Sequence, residues 1–208
     1  MRHLLLCLAL VAVPSWAGGR TAPSVRLYAQ FQREPPDVVF GSMQAELRTI
    51  LEPLGLAYDW RELDLSGGTE VSTELAVIHF KGSCDVENLA AVAVFPGPLG
   101  WTHMSDGEVL PFTDISCDRI RVFIQRDLLR LPEWERRSAY GRAVARVLAH
   151  ELYHIFAKTT KHGSWGIAKA AYTVDELLCP KLQFEKRESQ ILRAHSQQML
   201  GFADNAGQ

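Results

Sequence analysis

From Pro132 onward apolar residues recur at spacings of three and four, with Tyr140, Val144, Val147, Leu148, Leu152, Ile155 and Phe156 forming one continuous series. That period belongs to an α-helix with a wide apolar stripe, so the segment predicts a well-buried helix. Pro132 and Glu133 stand where such a helix starts, because a proline in the first turn forfeits no hydrogen bond. The helix is expected to run to about Lys158, after which Lys161-His162-Gly163 carries loop chemistry. Its second half contains His150-Glu151-Leu152-Tyr153-His154, polar groups in the buried part of the pattern.

Residues four apart on a helix differ by about 400° of rotation and one turn of rise, so His150 and His154 project side by side from one face and can grip one ion. Neutral imidazole is a good ligand for Zn2+, and two of them on one rigid helix are held in place before the metal arrives. Glu151, next to the first ligand, is placed to take a proton from a zinc-activated water and pass it to a leaving amine, the work of a general base. A chance match to this pattern falls in roughly one chain of this length in a hundred. The helical period around it is also read from apolar spacing alone, so the context the motif needs is independently present.

A catalytic zinc takes three protein ligands and keeps a fourth position open. His162 is the nearest candidate, eight residues beyond His154 and past the expected helix end. Glu176 is the rival, in a short helical-looking segment from Val174 to Leu178, and His103 is a third choice. His79 and His195 read as structural.

The 208 residues, 47% hydrophobic and 22% charged, suit one packed domain. A net charge of -2 gives no electrostatic reason for a nucleic-acid partner or an anionic membrane surface. Along the chain, Val25 to Phe31 alternates like a strand and Phe40 to Leu54 has helical spacing. Leu75 to Phe80, Ala90 to Phe95 and Ile120 to Ile124 are short apolar, β-branched runs expected to be sheet strands. Leu99 to Met104, bracketed by Pro96-Gly97-Pro98 and Asp106-Gly107, reads as a short edge strand that lines a cleft, and Phe184 to Leu200 as a last amphipathic helix.

The N-terminus has the form of a signal peptide over residues 1-17: Arg2, an apolar run from Leu4 to Val13, then Ser15-Trp16-Ala17 before the cut. That run is far shorter than the roughly 20 residues of a membrane span, so no membrane anchor is expected, and residues 18-208 are expected to form a single secreted or periplasmic domain. Export leaves Cys84, Cys117 and Cys179 in an oxidising compartment, where a disulfide is the default use of paired cysteines. Cys84 with Cys117 is the expected pair, each beside a strand-like segment with polar neighbours, and Cys179 is left as a small unreactive side chain.

The motif His150-Glu151-Leu152-Tyr153-His154 with His162 close behind resembles the metzincin clan of zinc metalloproteases, in particular small secreted bacterial members; the order of strands and helices is similar to the clan's as well. The resemblance implies an α+β fold with a mixed β-sheet, an N-terminal helix, a buried active-site helix and a C-terminal helix. It implies His150, His154 and His162 as zinc ligands and Glu151 as the general base. It also implies Leu99 to Met104 as the edge aligning a peptide or protein substrate, with Trp101, His103 and Tyr172 as substrate contacts. Tyr172 reads more readily as a core tyrosine than as a substrate contact. The clan places a Gly three residues after the second His and the third His three further on; this chain has Ala157 and Thr160 there, and His162 comes two residues later. The clan's turn methionine corresponds to Ala168. The function these residues imply is secreted zinc-dependent endopeptidase. The alternatives are a zinc-binding module without proteolysis and a zinc hydrolase of a non-peptide amide. A monomer is expected.

Overall fold

A computed structural model of the protein describes residues 25–63, 74–87, 89 and 96–206, with side chains up to residue 199. The expected signal segment and the expected strand from Ala90 to Phe95 lie outside the described residues. In chain order the elements are β1 (Val25–Phe31), α1 (Asp37–Leu51), β2 (Tyr58–Glu62), β3 (Leu75–Lys81), β4 (Gly100–Ser105), β5 (Glu108–Ser116), α2 (Cys117–Leu128), α3 (Glu133–Phe156), α4 (Val174–Leu178) and α5 (Lys186–Ala206).

The five strands form one mixed sheet in the order β2-β1-β3-β5-β4. β1 pairs in parallel with both β2 and β3, and β3 with β5, whereas β4 runs antiparallel to β5 and forms one edge. Parallel neighbours need a crossover, which α1 supplies between β1 and β2. The antiparallel pair needs only a tight turn, made by Asp106 and Gly107 with positive φ of 51° and 84°.

Alternate residues of the strands, Leu27, Ile78, Phe80 and Ile115, share one core with Met43 and Leu47 of α1 and with Tyr140, Val144 and Leu148 of α3. Helix α3 is therefore covered along most of its length, as its apolar period requires. α1 and α3 approach so closely that a Cβ on Gly141 would stand 2.5 Å from the Val39 carbonyl oxygen. Arg146, fully buried on α3, pairs with Glu46 of α1 at 2.7 Å and donates to the carbonyl oxygens of Glu176 and Leu177 at 2.9 and 3.1 Å. One guanidinium thus fixes α1, α3 and α4 together one helical turn before His150.

Some expectations are corrected. Ile120 to Ile124 is not a strand but part of helix α2. Cys117, Ile120, Ile124 and Leu128 are its buried apolar residues, at spacings of three and four, and Arg121, also buried, pairs with Asp118 one turn earlier, a helical partnership. The first helix starts earlier than expected, at Asp37 after the Pro35-Pro36 pair, and gives way at Leu51 to a tighter turn over Glu52–Leu54. Pro53 there has no N–H to continue the helix, and Gly55 closes the turn at φ 79°.

Strands β2 and β5 carry no strong pattern of their own. β5 includes Pro111, which falls where the β4 register jumps from Thr102↔Thr113 to Met104↔Val109 and before the pairing with β3 begins at Phe112. The missing N–H therefore lies at an irregularity in the ladder. The disulfide pairs Cys84 with Cys117, as expected, with Cα atoms 4.9 Å apart; it ties the end of β3 to the first residue of α2, and Cys179 is free. No helix among the described residues is long and apolar enough to cross a membrane.

Candidate metal centre

His150 and His154 lie one turn apart on the buried half of α3, only 7% and 8% exposed. Each Nδ1 is spoken for by a backbone carbonyl: His150 Nδ1 lies 2.8 Å from the Ile167 oxygen and His154 Nδ1 lies 2.7 Å from the Thr159 oxygen. A carbonyl only accepts, so both Nδ1 atoms carry the proton and both Nε2 atoms present lone pairs. Those two Nε2 atoms face each other at 3.1 Å. Two lone pairs so placed repel unless a cation lies between them, and two imidazole nitrogens sharing one tetrahedral zinc stand about 3.3 Å apart.

His162 completes the group, with ligand atoms of all three histidines within 4.8 Å of one another. Its ring lies 5.2 Å from that of His150 and 4.8 Å from that of His154. Burial lowers the pKa of both helix histidines, that of His150 to about 4, with the neighbouring imidazoles adding to the shift. They are neutral at physiological pH, the state in which imidazole binds a metal. The donor set fits zinc: three imidazole nitrogens, two of them on rings fixed by carbonyls, bordering an open cavity.

The longer spacing to His162 has a local cause. Helix α3 continues through Phe156, Ala157 keeps a helical conformation, and the left-handed residue is Lys158, at φ 45°. Lys158 and Thr159 donate to the Ile155 and His154 carbonyls, a helix end of the type usually closed by glycine. The chain then turns so that Gly163 donates to the Ala168 oxygen at 2.8 Å, which sets Ile167 against His150. Ile167 and Ala168 are fully buried where the resemblance placed a methionine.

Glu151 is 5% exposed and borders the cavity beside the histidines. Burial pushes its carboxyl up to about 7, against opposing hydrogen bonds from Thr102. The cavity, about 490 Å3, runs between β4 and the loop after α3; Leu99, Val109, Phe123 and Val147 give it an apolar wall.

The other expected residues fall in different places. Glu176 is not beside the histidines: both its oxygens take a hydrogen bond from Lys169, at 2.6 and 2.8 Å, and it closes a capping box with Thr173 at the start of α4. His103 does not line the cavity; it meets Asp114 at 3.0 Å, in a cluster with His79 and Lys81. Trp101 borders the cavity while its indole lies under the Lys81 ammonium, 4.6 Å from the ring centre. Tyr172 also borders it, but its hydroxyl donates to the same Ile167 oxygen that holds His150. His195 stacks on Phe156 and pairs with Glu74, a structural role as expected. Thr102 and Gly100, which touch Glu151, carry no motif; only the alternation of an edge strand places them on one face.

No protein-family model matches the sequence, and no curated protein matches it. The structure is similar to the crystal structure of archaemetzincin from Methanopyrus kandleri, with a TM-score of 0.50, 15% identity, and coverage of 84% of this chain and 96% of that one. At this identity the likeness is one of fold: the chain has a metzincin-like α+β architecture, a mixed sheet over a buried helix that carries His150, Glu151 and His154.

Proposed function

We propose that this protein is a secreted zinc-dependent metalloendopeptidase. The observation that carries the reading is the convergence of His150, His154 and His162 within 4.8 Å beside the Glu151 carboxylate, at the wall of an open cavity. The similarity of the fold to archaemetzincin supports the same class of chemistry. The Cys84–Cys117 bridge is in keeping with export to an oxidising compartment.

His150 and His154 would hold the zinc through Nε2, with His162 as third ligand. Bound there, zinc supplies a Lewis acid for the scissile carbonyl and lowers the pKa of water toward about 7. The chain's own residues do the rest. Glu151 takes one proton from the attacking water and delivers it to the amine as the C–N bond breaks, so that one water is consumed and a carboxyl and an amine are released. Strand β4, an edge strand among the described residues, offers main-chain groups to which an extended peptide can add as a further strand. The apolar wall of Leu99, Val109, Phe123 and Val147 receives a substrate side chain.

Metal analysis of the purified chain, with His162→Ala and Glu176→Ala variants, tests the ligand set. Zinc is expected to be lost from the first and kept by the second, and the reverse result sinks the assignment. A peptide-library digest comparing the wild type with Glu151→Ala tests the activity. Equal cleavage by the two, in zinc-loaded protein, leaves a zinc-binding module or a hydrolase of another amide.

A further inference from the structure

The structure assigns strand β4 a role beyond receiving substrate. Its Thr102 is a positioning residue that seats the Glu151 carboxylate for proton transfer, with Gly100 making the room. This inference rests on the hydrolase reading above. The Thr102 hydroxyl donates to Glu151 Oε2 at 2.8 Å and lies 3.2 Å from the backbone oxygen of Glu151. Two residues earlier on the same face of the strand, Gly100 lies against the other side of the carboxylate. A Cβ there would stand 3.0 Å from both Glu151 Cγ and Oε1. One oxygen is thus held by a hydroxyl, and the other rests where no side chain stands.

The seat is stiff. Threonine is β-branched, so its hydroxyl has few rotamers from which to choose, and a strand suits it. Thr102 pairs with Thr113 of β5, and the Thr113 hydroxyl donates to the Trp101 carbonyl at 3.1 Å, securing β4 from the neighbouring strand. A glutamate has three side-chain torsions, and a general base must keep one oxygen aimed at the proton it removes. Helix α3 fixes the Glu151 backbone, and Thr102 fixes the far end of the side chain. The Cγ–carboxylate arm is therefore anchored at both ends, by two elements that meet at this point of the cavity wall.

The test uses zinc-loaded full-length protein with Thr102→Val, which keeps shape and loses the hydroxyl, and Thr102→Ser, which keeps the hydroxyl. On a peptide found in the library digest, Thr102→Val is expected to lower kcat by about 10-fold or more with KM within about 2-fold, and Thr102→Ser to recover most of the loss. Zinc content is expected to be unchanged in both. Crystals of the three proteins are expected to show the carboxylate beside residue 102 in wild type and the Ser variant, and displaced or split in the Val variant. Unchanged kcat in Thr102→Val, equal losses in Val and Ser, or a carboxylate that stays in place without the hydroxyl overturns the proposal. If the wild type cleaves no peptide, the hydrolase reading fails separately, and the carboxylate position in the Val and Ser crystals still decides whether Thr102 holds Glu151. Gly100→Ala is a second probe that leaves the hydroxyl intact and is expected to displace the same carboxylate from the opposite side.

Discussion

Breaking the Cys84–Cys117 bridge should cost the fold far more than it costs the site. The bridge closes a loop with a sequence separation of 33 that contains β4, β5 and the turn between them. For a loop of that length, the entropy released to the unfolded chain on reduction corresponds to about 3.7 kcal/mol at 25 °C. Reduction leaves both sulfur atoms in place, buried at 2% and 0% exposure, so little packing is lost and the loop term stands nearly alone. Urea unfolding followed by circular dichroism, with and without reductant, measures it. With a slope of about 2 kcal/mol/M the midpoint should fall by about 2 M, and the melting temperature by about 8 to 15 °C. A midpoint shift below about 0.5 M would refute the loop-entropy argument. The bridge would then act only as a local brace, in which case hydrogen exchange should quicken in β4 and β5 alone.

Three further outcomes follow from single positions. Lys158→Gly should stabilise the protein by about 0.5 to 1 kcal/mol, because Lys158 holds φ 45° where glycine carries no Cβ penalty; a lower melting temperature would show that its side chain matters more than its backbone. Gly141→Ala, which helix propensity alone favours, should instead destabilise by about 1 to 3 kcal/mol, since the new methyl would meet the Val39 oxygen at 2.5 Å; an unchanged urea midpoint would mean that α1 and α3 separate freely. Burial pushes the Asp114 carboxyl up, but hydrogen bonds and charge from Lys81 and His103 outweigh it and hold the pKa below the usual value. A depressed pKa in the folded state gives stability that is present above the unfolded value of about 3.9 and is lost as pH falls through the folded one. The melting curves of wild type and Asp114→Asn should therefore differ at neutral pH and converge only once acid well below the usual carboxylate range has protonated the folded carboxyl, and a gap that persists after that protonation contradicts the reading.

The parts of this fold legible in the sequence are those in which periodicity and motif agree. Helix α3 is one: its apolar stripe and its histidines at four-residue spacing both require a buried helix, and both are found there. Helix α2 is less legible because Ile120, Val122 and Ile124 alternate like a strand, and only the longer series from Cys117 to Leu128 reveals the helical period. β5 is hidden by Pro111, whose place in a strand makes sense only once the irregular pairing with β4 is known. The edge strand itself is expected from its flanking turns, but its parity is not. A period of two gives two faces, and nothing local says which one meets the cavity. Trp101 and His103 look like the chemically richer face, yet it is the face of Gly100 and Thr102 that touches Glu151. Tertiary contact, not composition, decides that.

The same physics explains why the unusual spacing to His162 is compatible with a formed site. What aims His150 and His154 is not the length of the turn but two backbone oxygens, those of Ile167 and Thr159, and carbonyls leave no trace in a sequence. Thr159 reaches its place because the reversal happens at Lys158, one residue after the position where the metzincin pattern has glycine. Ile167 reaches its place because Gly163 pairs with Ala168, closing a small loop immediately after His162. One short segment, Thr159 to Ile167, therefore supplies a third imidazole and the orienting acceptors of the other two. In this chain the left-handed residue is Lys158, and the two helix imidazoles are oriented by backbone acceptors within that segment, so their aim depends on backbone hydrogen bonding and not on motif spacing.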